Sequence, residues 1–225
     1  MIKCLLMDVD DTLLDFPWSE RNAIHRTYEA LGTPMTDEMY ERYHTVNRRF
    51  WMAYERGEIE RSAMLIARHR QMAEEYGLPW DPAECERLYR KNLGIGYQLI
   101  PHAKEILDWL KPRCRLFITS NGVAETQYSR LSASGLDAYF ERIFISEEIG
   151  AVKPSKEYFD YVFSHIPGFS PKETAIIGDS LSSDILGGLN AGITTIWFNP
   201  SKKTGRPEVR PDHEISDLLE LKRFF

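Results

Sequence analysis

The chain has 225 residues, 43% of them hydrophobic, 28% charged and 12% aromatic. At about 150 residues per domain this leaves room for one large domain or a core with a modest insertion, and the composition excludes a disordered, collagen-like or disulfide-stapled chain. Asp and Glu (34) outnumber Lys and Arg (28) for a formal charge of −6, which opposes a nucleic-acid polymer or an anionic membrane as partner but leaves room for a small phosphorylated ligand in a locally positive pocket.

The opening run from Ile2 to Val9 is short, mostly apolar and ends in carboxylates, as a strand buried on both faces of a parallel sheet does. Asp8, Asp10 and Asp11 cut this run before a signal-peptide core could form. No later stretch approaches the roughly 18 uncharged residues of a membrane helix. Cys4, Cys85 and Cys114 are far apart, with no C-x-x-C spacing, and read as buried or incidental thiols. A cytoplasmic protein is the expectation.

From about Phe16 to Tyr97 four helical segments follow one another without a convincing strand. The first, near Ser19 to Leu31, stops at Gly32 with Pro34 beyond, and the second starts after Thr36 with Asp37 and Glu38 in its first turn. The third runs from Arg61 to Tyr76 and ends at Gly77. Asp81, Pro82 and Glu84 supply an N-cap, a first-turn proline and a capping-box acid for the fourth. Gly94, Gly96 and Pro101 form a hinge back to the alternating part of the chain.

Beyond the hinge, short apolar runs followed by polar or small residues recur at 116–122, 143–146, 174–179 and 194–199. Helical segments separate them at 103–111, 124–134, 156–165 and 183–190. The alternation predicts an α/β fold: a doubly wound parallel sheet of Rossmann-like type, residues 1–15 and 98–225, with an inserted α-helical cap over residues 16–97. Ligands of such a sheet bind outside the carboxyl ends of the strands. The tail from Pro200 to Pro211 reads as an exposed loop.

Asp8 and Asp10 stand two apart, so on an extended strand end they share a side while Val9 points into the packing. Two like charges that close need a cation or a shared proton. Asp179 ends a later strand and Asp184 falls in the first turn of the helix after it. If the two strands are neighbours, hard oxygen ligands converge, a donor set for Mg2+ rather than zinc.

The set Asp8-Val9-Asp10-Asp11-Thr12-Leu13, Ile118-Thr119-Ser120-Asn121-Gly122, Lys153-Pro154 and Gly178-Asp179 with Asp184 resembles the four motifs of the haloacid dehalogenase-like hydrolases, in order and at strand ends. The resemblance implies Asp8 as nucleophile, forming an aspartyl-phosphate, and Asp10 as the general acid and base. It implies Ser120 with the main-chain N–H groups of Asn121 and Gly122 as phosphate donors, and Lys153 as fixed positive charge. Mg2+ would lie among Asp8, the Asp10 carbonyl and Asp179, with Asp184 orienting metal-bound water.

The dehalogenating relatives lack an acid two residues after the nucleophile, so Asp10 argues for phosphoryl transfer. Asp11 stands where many relatives have Gly; alternation along the strand turns it away from the metal. The stretch from Asn47 to Ile59, with 145–150 and 183–188, is similar to the bacterial pyrimidine 5'-nucleotidase branch. On that resemblance the expected activity is Mg2+-dependent hydrolysis of nucleoside monophosphates. A sugar-phosphate phosphatase, a phosphomutase and a binding module without turnover are the alternatives, the intact motif set opposing the last. In the cap, Phe16, Trp18, Trp51 and Tyr54 could stack on a base, whereas the i, i+3 spacing of Trp51 and Tyr54 favours core packing. Arg48 and Arg49 fit either phosphate steering or a solvated face.

Overall fold

The computed structural model describes residues 1–225, which divide into two compact units, Met1–Phe16 with Gln98–Phe225, and Pro17–Tyr97. No helix is long and apolar enough to cross a membrane. The first unit is built on six strands: β1 (Cys4–Met7), β2 (Arg115–Ser120), β3 (Arg142–Ile145), β4 (Thr174–Gly178), β5 (Thr194–Phe198) and β6 (His213–Ile215). They form one sheet in the order β3-β2-β1-β4-β5-β6, every neighbouring pair parallel. The chain runs outward from β1 through β2 to β3, then returns to the other side of β1 for β4, β5 and β6. At this reversal the crevice outside the strand carboxyl ends opens.

Period-two alternation divides β1 between two cores. Leu5 and Met7 pack with Ile106, Leu107 and Leu110 of α5 (Ala103–Leu110), Leu131 of α6 (Ala124–Ser134) and Leu218 and Leu221 of a C-terminal 3-10 helix. Cys4 and Leu6 pack with Tyr158, Phe159 and Val162 of α8 (Lys156–Ser164), which follows the one-turn α7 (Ser146–Ile149). A strand covered on both faces has no polar side, which is why β1 reads as an unbroken apolar run.

Two elements differ from expectation. β6 is an added sixth strand, invisible as a pattern because an edge strand of three residues leaves His213 and Glu214 exposed and buries Ile215 alone. The helix expected at 183–190 opens as a π-helical turn, Leu181–Ile185, before α9 (Leu186–Asn190).

The second unit is helical, with α1 (Phe16–Ala30, beginning one residue before the unit), α2 (Asp37–Glu55), α3 (Arg61–Tyr76) and α4 (Pro82–Gly94). Thr36 caps α2 by accepting the Met39 N–H at 3.2 Å, and Asp81 caps α4 through the Ala83 N–H at 3.2 Å. Gly77 ends α3 in the left-handed region, φ 60°. Glu84 does not close a capping box. Its two oxygens instead take the Arg87 Nε and Nη2 hydrogens at 2.7 and 2.5 Å, a bidentate pair one turn along the helix.

The interior of this unit holds a polar chain that the sequence pattern does not announce. Buried Glu20 accepts from Asn47 Nδ2 (2.6 Å), Arg68 donates to Asn47 Oδ1 (2.6 Å) and to Glu86 Oε2 (2.6 Å), and His69 Nε2 meets the same Glu86 oxygen (2.9 Å). Burial opposes the Glu86 charge, but Arg68 and His69 together hold its carboxyl below the ordinary range. A carboxylate can only accept, so His69 carries its proton on Nε2, and Nδ1 accepts the Cys85 thiol hydrogen across 3.3 Å. Burial lowers His69 to about 4.

That depression has a definite sign. Between pH 6.5 and 4 only the unfolded chain protonates this imidazole, so its contribution is complete above about 6.5 and falls by about 1.4 kcal/mol per pH unit below it. Acids raised by desolvation, such as Asp179 at about 7, work in the opposite direction, as does His44, raised by its hydrogen bond to Glu20; both are common to a His69→Gln variant. The stability gap between wild type and His69→Gln is therefore expected to narrow by about 3 kcal/mol from pH 6.5 to 4 in urea titrations. A gap that stays constant would mean His69 does not titrate there.

Candidate active site

Asp8 is the first residue beyond β1, and its N–H still donates to Ile177 of β4 at 3.0 Å, which extends the ladder and fixes the main chain. Asp179 follows β4 directly, its carbonyl held by the Trp197 indole N–H at 2.9 Å. Asp184 comes from the π-helical turn, where Ser180 Oγ caps the Ser183 N–H (3.2 Å) and the Ser180 N–H donates to Asp184 Oδ2 (3.1 Å). Oxygens of Asp8, Asp179 and Asp184 lie within 4.8 Å of one another.

Gly178 makes that approach possible. A Cβ at this position would lie 2.1 Å from Asp184 Oδ2, closer than any non-bonded contact, so Asp184 would have to move. Gly178→Ala is expected to lower turnover at least about 10-fold, with a smaller effect on folding; wild-type kinetics in this variant would remove Asp184 from the site.

Lys153 stands among the three acids and is almost fully buried. Its ammonium donates to Asp8 Oδ1 (2.7 Å), Asp184 Oδ1 (2.6 Å) and the Thr119 carbonyl (2.8 Å), which uses all three hydrogens. The side-chain amide of Asn121 holds the Lys153 main chain from both sides, donating to its carbonyl at 3.0 Å and accepting its N–H at 2.9 Å. Three carboxylates against one ammonium leave the cluster short of positive charge. Burial, with repulsion from neighbouring acids, raises Asp8 and Asp179 to about 7 and Asp184 to about 6 despite Lys153. Lys203 is exposed, its Nζ 3.5 Å from Asp179.

Ser120 ends β2 with its hydroxyl buried; Oγ accepts the Gly122 N–H at 3.0 Å and Gln127 Nε2 at 2.8 Å. The Gly122 N–H, expected as a phosphate donor, is thus directed at Ser120. Asp10 lies outside the triad of acids. Its Oδ1 takes Arg130 Nη1 at 2.5 Å and its Oδ2 takes Gln127 Nε2 at 2.8 Å. Asp11 sits in the left-handed region, φ 59°, which Gly, Asn and Asp adopt most readily. It accepts the Phe16 N–H at 3.1 Å yet stays near enough to Asp179 for its charge to help raise that group.

The structure thus sets Lys153 against Asp8 and Asp184, brings Asp179 within 4.8 Å of those two acids, and links Ser120 to Asp10 through Gln127. Gln127, Arg130 and the role of the Asn121 side chain escape sequence reasoning. Gln127 and Arg130 are three apart on α6, a spacing that ordinarily marks a solvated helix face; the one available signal was their position just after the Ser120-Asn121-Gly122 strand end. In the helical unit Trp51 and Tyr54 form a half-buried edge-to-face pair, ring centres 5.9 Å apart, rather than part of a closed core. Arg48 and Arg49 are exposed, and Arg49 donates to Gln71.

Residues 2–192 match the family model described as haloacid dehalogenase-like hydrolase. Over 219 residues, 97% of this chain and 93% of the relative, the sequence is 45% identical to the HAD-hydrolase YfnB of Bacillus subtilis. It is 33% identical over 220 residues, with the same shares covered, to the pyrimidine 5'-nucleotidase PynA of Streptococcus pneumoniae. A crystal structure of Bacillus subtilis YfnB bound to magnesium is similar with a TM-score of 0.95 and 44% identity, covering 99% of this chain and 98% of that one.

Proposed function

The chain belongs to the haloacid dehalogenase-like hydrolases, and we propose that within this family it is a Mg2+-dependent phosphatase of small phosphomonoesters, foremost pyrimidine nucleoside 5'-monophosphates, acting through phospho-Asp8. The observation that carries the reading is the cluster of Asp8, Asp179 and Asp184, two of which, Asp8 and Asp184, bind the buried Lys153 ammonium. The similarity to PynA supports the choice of substrate.

The cluster fits a hard divalent cation, since its donors are all oxygens and its charge is one-sidedly negative. Asp8, Asp179 and the Asp10 carbonyl would hold Mg2+, with Asp184 behind them, and the ion would offset the repulsion between an anionic nucleophile and an anionic substrate. Lys153 fixes the Asp8 carboxylate for attack on phosphorus. A bond forms between an Asp8 oxygen and phosphorus as the ester P–O bond breaks, and Asp10 gives its proton to the departing oxygen. Water then attacks the phosphorus of phospho-Asp8, Asp10 takes a proton from it, and phosphate leaves as the Asp8 carboxylate is restored. Ser120 donates its hydroxyl to a phosphoryl oxygen throughout.

Phosphate release from a panel of pyrimidine and purine nucleoside monophosphates and sugar phosphates tests the reading, with Mg2+ and with EDTA. Release that needs Mg2+ and is fastest from pyrimidine nucleotides is expected. Equal, slow release across the panel would retain the phosphatase and discard the nucleotide preference.

A further inference from the structure

We propose that Gln127 and Arg130 are positioning residues that set the proton-transfer group Asp10 and the phosphate-binding hydroxyl of Ser120 as one unit; the proposal rests on the phospho-Asp8 reading above. Both side chains are 1% exposed. A guanidinium that deeply buried is tolerated only when paired, and Arg130 reaches Asp10 Oδ1 at 2.5 Å across 120 residues of sequence. The same Nη1 lies 3.2 Å from Gln127 Oε1. Since that oxygen accepts from Arg130, the amide NH2 has one orientation, and its two hydrogens go to Asp10 Oδ2 and Ser120 Oγ, each at 2.8 Å.

Two consequences follow from counting donors and acceptors. Asp10 is gripped at both oxygens, which fixes the plane of its carboxylate. Ser120 Oγ already accepts twice, from Gly122 N–H and from Gln127, so its own hydrogen has only the donor role, the one a phosphoryl oxygen requires. Gly122 provides the space for this arrangement, because a Cβ there would fall 2.7 Å from Gln127 Nε2. On the far side, the Arg130 guanidinium lies 5.9 Å from the Phe16 ring centre.

A positioning role separates from a structural one by leaving group. Departure of an alkoxide needs the Asp10 proton, whereas p-nitrophenolate leaves with little help. Gln127→Met keeps volume and removes both N–H bonds. It is expected to lower kcat/KM about 100-fold for an alkyl phosphomonoester and only about 10-fold for p-nitrophenyl phosphate. Arg130→Lys, which keeps the charge, is expected to retain more activity than Arg130→Met and to show the same leaving-group bias. Equal losses on the two substrates, or no loss, would overturn the proposal. The wild type serves as the separate control: if it hydrolyses neither substrate and traps no phospho-Asp8, the phosphatase reading itself fails.

Discussion

Asp8→Asn is expected to lower phosphate release by about 10,000-fold or more while the protein stays folded. An amide oxygen is not a nucleophile toward phosphorus, so covalent catalysis is lost. The shape is kept, and the amide oxygen can still accept the Lys153 hydrogen now directed at Asp8 Oδ1. The substitution also removes one of three carboxyl groups held within 4.8 Å of one another. The unfolding midpoint in EDTA is therefore expected to hold or rise, even as turnover vanishes. Rapid-quench trapping with labelled substrate gives the second readout: acid-stable label on the wild type and none on the variant. Substantial turnover by Asp8→Asn would place the nucleophile elsewhere.

Lys153→Met is expected to cost both stability and rate. The ammonium directs its three hydrogens to Asp8, Asp184 and the Thr119 carbonyl. Methionine fills the channel but leaves two buried carboxylates without their counter-charge, a loss of about 3–5 kcal/mol. The deficit is expected to be largest in EDTA and to shrink in Mg2+, since a cation returns part of the missing charge. Turnover is expected to fall about 1,000-fold, the scale for removing a fixed positive group from the transition state. Lys153→Arg does not repair this, because a planar fork cannot aim hydrogens at three acceptors set around a point charge. A variant as stable as wild type in EDTA would mean that the carboxylates find another partner.

The two substitutions also probe one another. In a double-mutant cycle Asp8→Asn and Lys153→Met share an interaction, so their stability effects are expected to be non-additive by about 1 kcal/mol or more. Additive effects would leave the 2.7 Å contact without energetic weight.

Local pattern made the architecture legible. The alternation of apolar runs with helical segments names a parallel α/β sheet, because a strand covered on both faces must be apolar throughout and a crossover needs a helix. Thr36, Asp81 and Gly77 mark helix ends by backbone chemistry that acts over one turn. Glu84 shows the limit of such rules, since a capping-box acid three residues after its cap was drawn instead to Arg87. β6 shows another, as an edge strand with a single buried residue carries no periodic signal.

The sequence by itself placed Asp8 and Asp179 at strand ends, because strand termini can be read locally, and singled out Ser120, Lys153 and Asp184 only as members of a motif set that resembles a family. Only the tertiary structure decided where polar side chains inside packed helices go. Gln127 and Arg130 look like a solvated face until the sheet places Asp10 beside them, 117 and 120 residues away. Arg68, His69 and Glu86 look like ordinary surface charges until the helices of the second unit close over them. A charge is indifferent to its neighbours in sequence when water surrounds it. Once water is excluded it must find a partner in space, and only the fold supplies one.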